Sequence, residues 1–571
     1  MIDCHFHLWT EDTSTAEKRA ERADQARTVA EELGVERICL IHERGETVEE
    51  CRANNQIVGA YVDEHPDLFF GWARANPLWG EDGVAEFRRA VEEDGLIGLK
   101  LYAQAFLDDP EVEPLAEAAV DLDVPIISHV GHRHDSTERH PRKPKESNSD
   151  NVRALAESFP DLTLISGHIG GGGVWEYRIK NIAHLDNVYL DTSGSVVDSG
   201  QLEMAVEYLG ADRLVYGTDT WFLEGFGKLR GSELDPAVKA EIGYNMGELI
   251  HDRVPNALSE DALAAGIKRA TAYFEQHSEP RSETIIDTHL YVGNFPWRRL
   301  DASPYAVTAE MDRVGIDSGI VSSLDAVFYR NPHEGNKELA AAIDGYEDRF
   351  IPFATLDPTY PRVQADLDES IDELGMQGVR LYPLYHNYDL EDPRVVELLE
   401  SCADREVPVM FVAHVEDKRQ THANWRIRDY EEAGSKSWAS KHTSGLINLL
   451  QAAPETDVII ANITPRAAAR VRRAVTTSYA QGVRLQNKVR TGDLYFVIDD
   501  MAMFWPHQGE QIRDEIGVEH LVNGSKVPIY NFDGHHIYTD ALPVADQDRA
   551  QIRSGNIEAL LGDKPPERDQ H

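Results

Sequence analysis

The segment IDCHFH near the start of the chain carries His5 and His7 one residue apart. Side chains alternate along a β-strand, so His-x-His turns both imidazoles to one face. Alone the pair is a weak signal, because that spacing arises often by chance. Three later apolar segments carry groups of the same kind: VPIISHV has His129, LTLISGH has His168 and RLVYGTD has Asp219. The ordered set is specific and favours a metal site over structurally satisfied histidines. Nitrogen donors with one carboxylate suit Zn²⁺ first, then Mn²⁺ or Fe²⁺, whereas Mg²⁺ and Ca²⁺ prefer oxygen shells. An ion so held stays positive and brings the pKa of a bound water towards about 7. Asp219 is placed to take that water's proton and return it to a leaving group. His168 is placed to polarise a carbonyl or steady an oxyanion.

The stretch 132–147 is a second feature. Arg133, Arg139, Arg142, Lys143 and Lys145 stand there against Asp135, Glu138 and Glu146, a net +2 in a chain of net charge −44. As a loop following a barrel strand it belongs at the catalytic mouth, where His132 and Arg133 become candidates for binding a carboxylate-bearing substrate. An equal reading is a solvated loop paired with the protein's own acids. His132 and His134 fit a loop or supporting role better than ligation, because the other groups already fill a shell.

Such groups need a scaffold that brings strand ends together. The chain repeats itself at a period of about 285 residues. IDCHFH returns as IDTHLY, GLKLY as GVRLY, VPIISHV as VPVMFVAHV, LTLISGHIG as DVIIANIT, and RLVYGTD as HLVNGSK. Within each copy, short β-rich runs such as RICLI (37–41) and LFFGWA (68–73) alternate with amphipathic stretches such as 84–93 and 111–122. This predicts an α/β chain of two tandem (β/α)8 TIM-barrel-like domains. No GxGxxG opens a helix after the first strand, which argues against a dinucleotide-binding fold. The run Gly170–Gly173 lacks the Lys-Ser/Thr of a phosphate loop and reads as close backbone approach at a strand end. The first barrel spans 1–277, a linker 278–283, the second barrel 284–562 and a charged tail 563–571. In the second copy the aligned residues are His289, Tyr291, His414, Asn462 and Lys526. A cation replaces the carboxylate there, so this barrel is read as degenerate, unable to complete a metal site. It would be kept for stability, for contact with the first barrel or for binding a ligand. Trp425 and Trp438, in the stretch 416–444, read as packing more readily than recognition.

The 571 residues exceed one core, and a hydrophobic content of 42% is ample for packing. With 100 Asp and Glu against 56 Lys and Arg, nucleic acid and anionic membranes are not expected partners. Acid spread along the chain, with Arg above Lys, matches a protein of a high-salt cytoplasm. No apolar run is long enough to span a bilayer, and the first residues lack the basic and apolar regions of an export signal. The thiols Cys4, Cys39, Cys51 and Cys402 show no CxxC spacing and fit reduced core residues. A cytoplasmic protein is expected.

The pieces IDCHFH, GLKLY, SHVGH, SGHIGG, NVYLDTSG and YGTD resemble the amidohydrolase superfamily. The resemblance is to its amidohydrolase-related branch, which includes aminocarboxymuconate-semialdehyde decarboxylase-like enzymes. It covers 1–277 closely and 284–562 more loosely. It implies one divalent metal on His5, His7, His129 and Asp219, with His168 contacting substrate or moving a proton. Some members carry a carboxylated lysine bridging two ions. For Lys100 that reading stands beside substrate-carboxylate binding and structural ion pairing. The expected function is metal-dependent hydrolysis of an amide, lactone or related C–N or C–O bond in a small carboxylate-bearing molecule. A metal-dependent decarboxylase of the same branch is the first alternative. A non-catalytic metal- or ligand-binding protein is the second, and homo-oligomerisation is open.

Overall fold

A computed structural model describes residues 1–8, 15–43, 45–136, 143–250, 253–254, 256–417, 419–420, 442–476, 490–499, 501 and 506–562. Arg139, Arg142, Glu138, Trp425, Trp438 and the tail 563–571 lie outside the described residues. The chain divides into two compact units, Met1–Ser278 and Glu279–His571.

The strands of the first unit are β1 (Ile2–His7), β2 (Arg37–Ile41), β3 (Phe69–Arg74), β4 (Leu99–Leu101), β5 (Ile126–Ser128), β6 (Leu164–Ser166), β7 (Val188–Asp191) and β8 (Leu214–Val215). Each runs parallel to the next in chain order within one 8-stranded sheet. The last connection closes the ring: Cys4 N–H donates to Tyr216 O at 2.8 Å, and Asp219 N–H to His5 O at 2.7 Å. Strands covered on both faces read as continuous apolar runs. Accordingly Ile38, Leu40, Phe70, Ile127, Ile165 and Leu190 are all buried. Inside, Trp72 is fully buried and its Nε1–H donates to Cys4 O at 2.9 Å. The four cysteines are buried free thiols.

Helices pack outside this ring for reasons legible in their sequences. The Thr47 hydroxyl accepts the Glu50 amide and starts Val48–Glu64, whose Cys51, Val58, Tyr61 and Val62 form one inward face. The amphipathic stretches 84–93 and 111–122 become the helices Glu81–Asp94 and Glu113–Asp121. The first ends on Gly95 at φ 68°, a left-handed cap that glycine adopts without steric cost. Among the described residues, no helix is long and apolar enough to cross a membrane.

The second unit repeats the plan with β9 (Ile286–Val292), β10 (Ser318–Ser323), β11 (Phe350–Thr355), β12 (Gly378–Leu381), β13 (Val409–Phe411), β14 (Val458–Ile460), β15 (Leu494–Val497) and β16 (Leu521–Val522). These also pair in parallel, in chain order, and Thr288 N–H to Asn523 O at 3.0 Å joins first strand to last. Both units are therefore (β/α)8 barrels.

Because all strands of a barrel point one way, their C-terminal ends share one mouth. His5 and His7 end β1, Lys100 lies in β4, His129 follows β5, His168 follows β6 and Asp219 follows β8. His168 and Asp219 hold left-handed backbone, at φ 65° and 54°. Asn462 and Lys526, their partners in the second copy, do the same at φ 54° and 64°. Such conformations cost about 1 kcal/mol or more in non-glycine residues and persist where the surrounding fold enforces them.

The glycine run behaves as its sequence suggested. A Cβ on Gly171 would meet Val130 O at 2.1 Å, so only glycine admits that approach. Beside it the buried Arg178 guanidinium donates to Val130 O at 2.6 Å, to Gly167 O at 3.2 Å and to His168 O. One cation thus ties the ends of β5 and β6 together. Arg178→Met strands these carbonyls, so we expect a loss of about 2–4 kcal/mol in denaturant unfolding of the first barrel.

Candidate metal centre

Two buried carboxylates form the floor of the first mouth. Asp3 accepts the amides of His5 and Thr218, each at 3.0 Å, and the Thr218 hydroxyl at 2.6 Å. Asp191 accepts the His168 amide at 2.7 Å, the Ser193 hydroxyl at 2.6 Å and His5 Nδ1–H at 2.6 Å. That last bond fixes the tautomer of the fully buried His5 and leaves Nε2 as the inward nitrogen. Burial alone would raise Asp191, but His5 and the donated hydrogen bonds overcome it and hold it at about 2.

Around His5 Nε2 lie two of the other expected donors, His7 and Asp219, while His129 does not reach it. His7 Nε2 lies 3.3 Å away, and Asp219 Oδ1 is 3.6 Å from His5 Nε2 and 3.3 Å from His7 Nε2. Ligand atoms about 2.1 Å from one tetrahedral ion stand about 3.4 Å apart, so this triangle has the dimensions of a coordination shell. His168 Nδ1 approaches the other oxygen, Asp219 Oδ2, at 3.6 Å. The ligand atoms of His5, His168 and Asp219 all lie within 4.8 Å of one another. Burial pushes His7 and His168 well below the usual imidazole range, with nearby positive groups adding to the effect. They are therefore neutral, the form that binds metals.

His129 stands one imidazole further out. Its Nδ1 is 2.8 Å from His168 Nε2, and its Nε2 is 2.7 Å from Glu146 Oε1. Burial lowers His129 to about 3. Glu146 would rise on burial, yet His129 and Lys143 bring it down to about 2. Lys143 Nζ is 3.1 Å from His129 Nε2 and lies 5.2 Å over the Tyr102 ring, which itself stacks on His129 at 4.5 Å.

Lys100 belongs to the cluster itself, fully buried with Nζ 2.7 Å from His5 Nε2. Burial lowers it to about 7 against the pull of Asp219 and Asp191. Near neutral pH it thus adds only part of a positive charge to the cluster. In the loop after β5, Arg133 pairs with Asp135 at 2.7 Å and Lys145 with Asp109 at 3.0 Å, as a self-neutralising loop would. His132 Nε2 lies 2.9 Å from Ser136 O, and His134 stacks on Tyr177 at 3.5 Å. Lys143 and Glu146 reach the site from this loop, although as sequence they were only two of its charges. Asp191 was equally hidden, its one signal being its place at the strand end in NVYLDTSG.

In the second mouth His289 Nδ1 lies 3.1 Å from Asp499 Oδ2, while its Nε2 meets the Tyr291 hydroxyl at 2.8 Å. The second unit holds no metal-ligand grouping like that of the first among the described residues.

A family model described as Amidohydrolase matches residues 2–267 and, separately, 286–432. No curated protein sequence matches the chain. Among solved structures, a 2,6-dihydroxybenzoate decarboxylase from Rhizobium is similar at 19% identity and TM-score 0.35, covering 44% of this chain and 97% of its own. A manganese-bound dihydroxybenzoic acid decarboxylase from Polaromonas is similar at 21% identity and TM-score 0.37, over 45% and 99%. A manganese-bound 5-carboxyvanillate decarboxylase from Novosphingobium aromaticivorans is similar at 16% identity and TM-score 0.39, over 50% and 99%.

The donor triangle predicts that His5→Ala with His7→Ala abolishes bound divalent metal in elemental analysis, while circular dichroism stays unchanged. Retention of full metal content would exclude the site. Asp191→Asn should weaken metal binding roughly 10–100-fold in competition with a chelator, because His5 loses the group that orients it.

Proposed function

The chain belongs to the amidohydrolase family, and on that premise we propose that its first barrel is a metal-dependent hydrolase. Its substrate would be a small, carboxylate-bearing molecule, cleaved at an amide, lactone or related C–N or C–O bond. The observation that carries this reading is the His5–His7–Asp219 triangle, with atoms 3.3–3.6 Å apart and a third histidine, His168, on the far carboxylate oxygen. A divalent ion held by these residues, Zn²⁺ by donor chemistry with Mn²⁺ or Fe²⁺ also suited, supplies Lewis acidity to a substrate oxygen and to water.

This chain's own groups supply the rest. Asp219, kept from its usual acidity by burial, takes the proton of the attacking water and passes it to the leaving atom. His168, between Asp219 and His129, steadies the charge that develops on the substrate oxygen. Asp191 keeps the His5 ring from turning. Lys143, on the rim beside Tyr102, receives the substrate carboxylate, and Tyr102 offers a flat face to its body.

That flat wall topped by a cation also favours a second reading, decarboxylation of an aromatic acid, in which Asp219 hands a proton to the ring carbon as the bond to the carboxylate breaks and CO₂ leaves. Products separate the two. A screen of lactones, amides and aromatic acids in molar KCl is expected to give ring-opened or amide-cleaved product with ¹⁸O taken from labelled water. Release of CO₂ without ¹⁸O in the organic product would overturn hydrolysis in favour of decarboxylation. Under either chemistry, Asp219→Asn should lower kcat by about 10²–10⁴, and Lys143→Met should raise KM more than it lowers kcat.

A further inference from the structure

Lys526 occupies the place that Asp219 holds in the first barrel, and its side chain is wholly buried. The backbone bend that delivers a side chain into the mouth is kept, at φ 64° against 54°, while the charge it delivers is inverted. Among the described residues, the Lys526 ammonium has no hydrogen-bond partner. Its ion pair with Asp499 Oδ2 is long, at 4.0 Å. That carboxylate is already engaged, accepting His289 Nδ1–H at 3.1 Å, the Asn462 amide at 2.9 Å and the Asn462 side-chain N–H at 3.1 Å. The Tyr530 ring, 5.0 Å from Nζ, offsets only part of the cost of a buried cation.

The rest of the mouth has changed in the same sense. His289 Nε2 accepts the Tyr291 hydroxyl at 2.8 Å, where His5 Nε2 meets the Lys100 amine at 2.7 Å. Asn462 replaces His168 and turns its amide oxygen to the Ala413 and His414 N–H groups, both at 3.1 Å. Glu416 is buried and accepts the Tyr385 hydroxyl at 2.7 Å. Burial raises Glu416 to about 7, so near neutral pH it opposes an incoming anion only in part. What remains is an ammonium with N–H donors to offer, beside carboxylates that are hydrogen-bonded elsewhere.

We propose that the second barrel binds a small monocarboxylate in its mouth, on the Lys526 ammonium and without a metal. Lys526 and the buried Arg380 guanidinium, 5.3 Å over the Tyr291 ring, set two positive charges against the Asp499 carboxylate, so one further negative charge balances the mouth, whereas a phosphate dianion would leave one uncompensated. The site is separate from the chemistry of the first barrel, and its test isolates it.

Benzoate is titrated calorimetrically into the full-length chain carrying His5→Ala, His7→Ala and Lys143→Met, which removes the first centre's ligands and the cation assigned there to a substrate carboxylate. Saturable binding of one benzoate per chain is expected, with inorganic phosphate failing to compete. Adding Lys526→Met should weaken binding at least tenfold, and Lys526→Arg should retain part of it. No saturable binding, or binding unaffected by Lys526→Met, would overturn the proposal while leaving the reading of the first barrel intact. A crystal of the unmodified protein soaked in 4-iodobenzoate gives an independent answer should the methionine variant fail to fold. Iodine signal in the second mouth, with the carboxylate on Lys526, supports the site; signal confined to the first mouth refutes it.

Discussion

The hydrogen bond from His5 Nδ1 to the buried Asp191 carboxylate, at 2.6 Å, is the constraint on which the first mouth depends. It selects the tautomer that frees Nε2, and the same carboxylate seats the His168 backbone at 2.7 Å. Two histidines, one on β1 and one after β6, are thereby indexed to one anion. Asp499 repeats the arrangement in the second barrel, holding His289 Nδ1 at 3.1 Å and the Asn462 amide at 2.9 Å. The anchor survived in both copies, although the groups it positions diverged.

The divergence concerns charge more than shape. Asp219 and Lys526 leave their barrels on the same left-handed bend, as do His168 and Asn462. A bend that strains a non-glycine residue persists where the fold holds it, as Asp191 and Asp499 hold the His168 and Asn462 amides and His5 O holds the Asp219 amide. In the first mouth it delivers a carboxylate to neutral imidazoles. In the second it delivers a cation to a carboxylate already saturated with donors. One backbone thus presents opposite electrostatics, which is why barrel folds accept new chemistry through a few residues at strand ends.

Charge also separates the mouth from the surface around it. The chain carries a net −44, yet Lys143 and Lys100 sit among the first-barrel histidines. Burial lowers Lys100 to about 7, while Tyr102 and Glu146 keep Lys143 charged despite its own burial. A partly neutral amine within the donor cluster and a full cation at its rim suit a metal inside and an anionic substrate outside.

By itself the sequence determined the repeat, the alternation of strand and helix, and the strand-end groups His5, His7, His129, His168 and Asp219. Those follow from local pattern: periodicity sets which face a side chain takes, and parallel strands send all their ends to one mouth. What tertiary structure decided were the partnerships, because they join residues far apart in the chain. Asp191 looked like one more strand-end polar residue until closure of the ring placed it on His5. Glu146 and Lys143 were two charges in a mixed loop, indistinguishable from Arg133 and Asp135, which neutralise each other at 2.7 Å. Folding the loop back onto β5 picked the former pair for His129. The change from Asp219 to Lys526 was plain as sequence. That the lysine would be buried without a hydrogen bond among the described residues was not, since it depends on Asp499 having been claimed by other donors first.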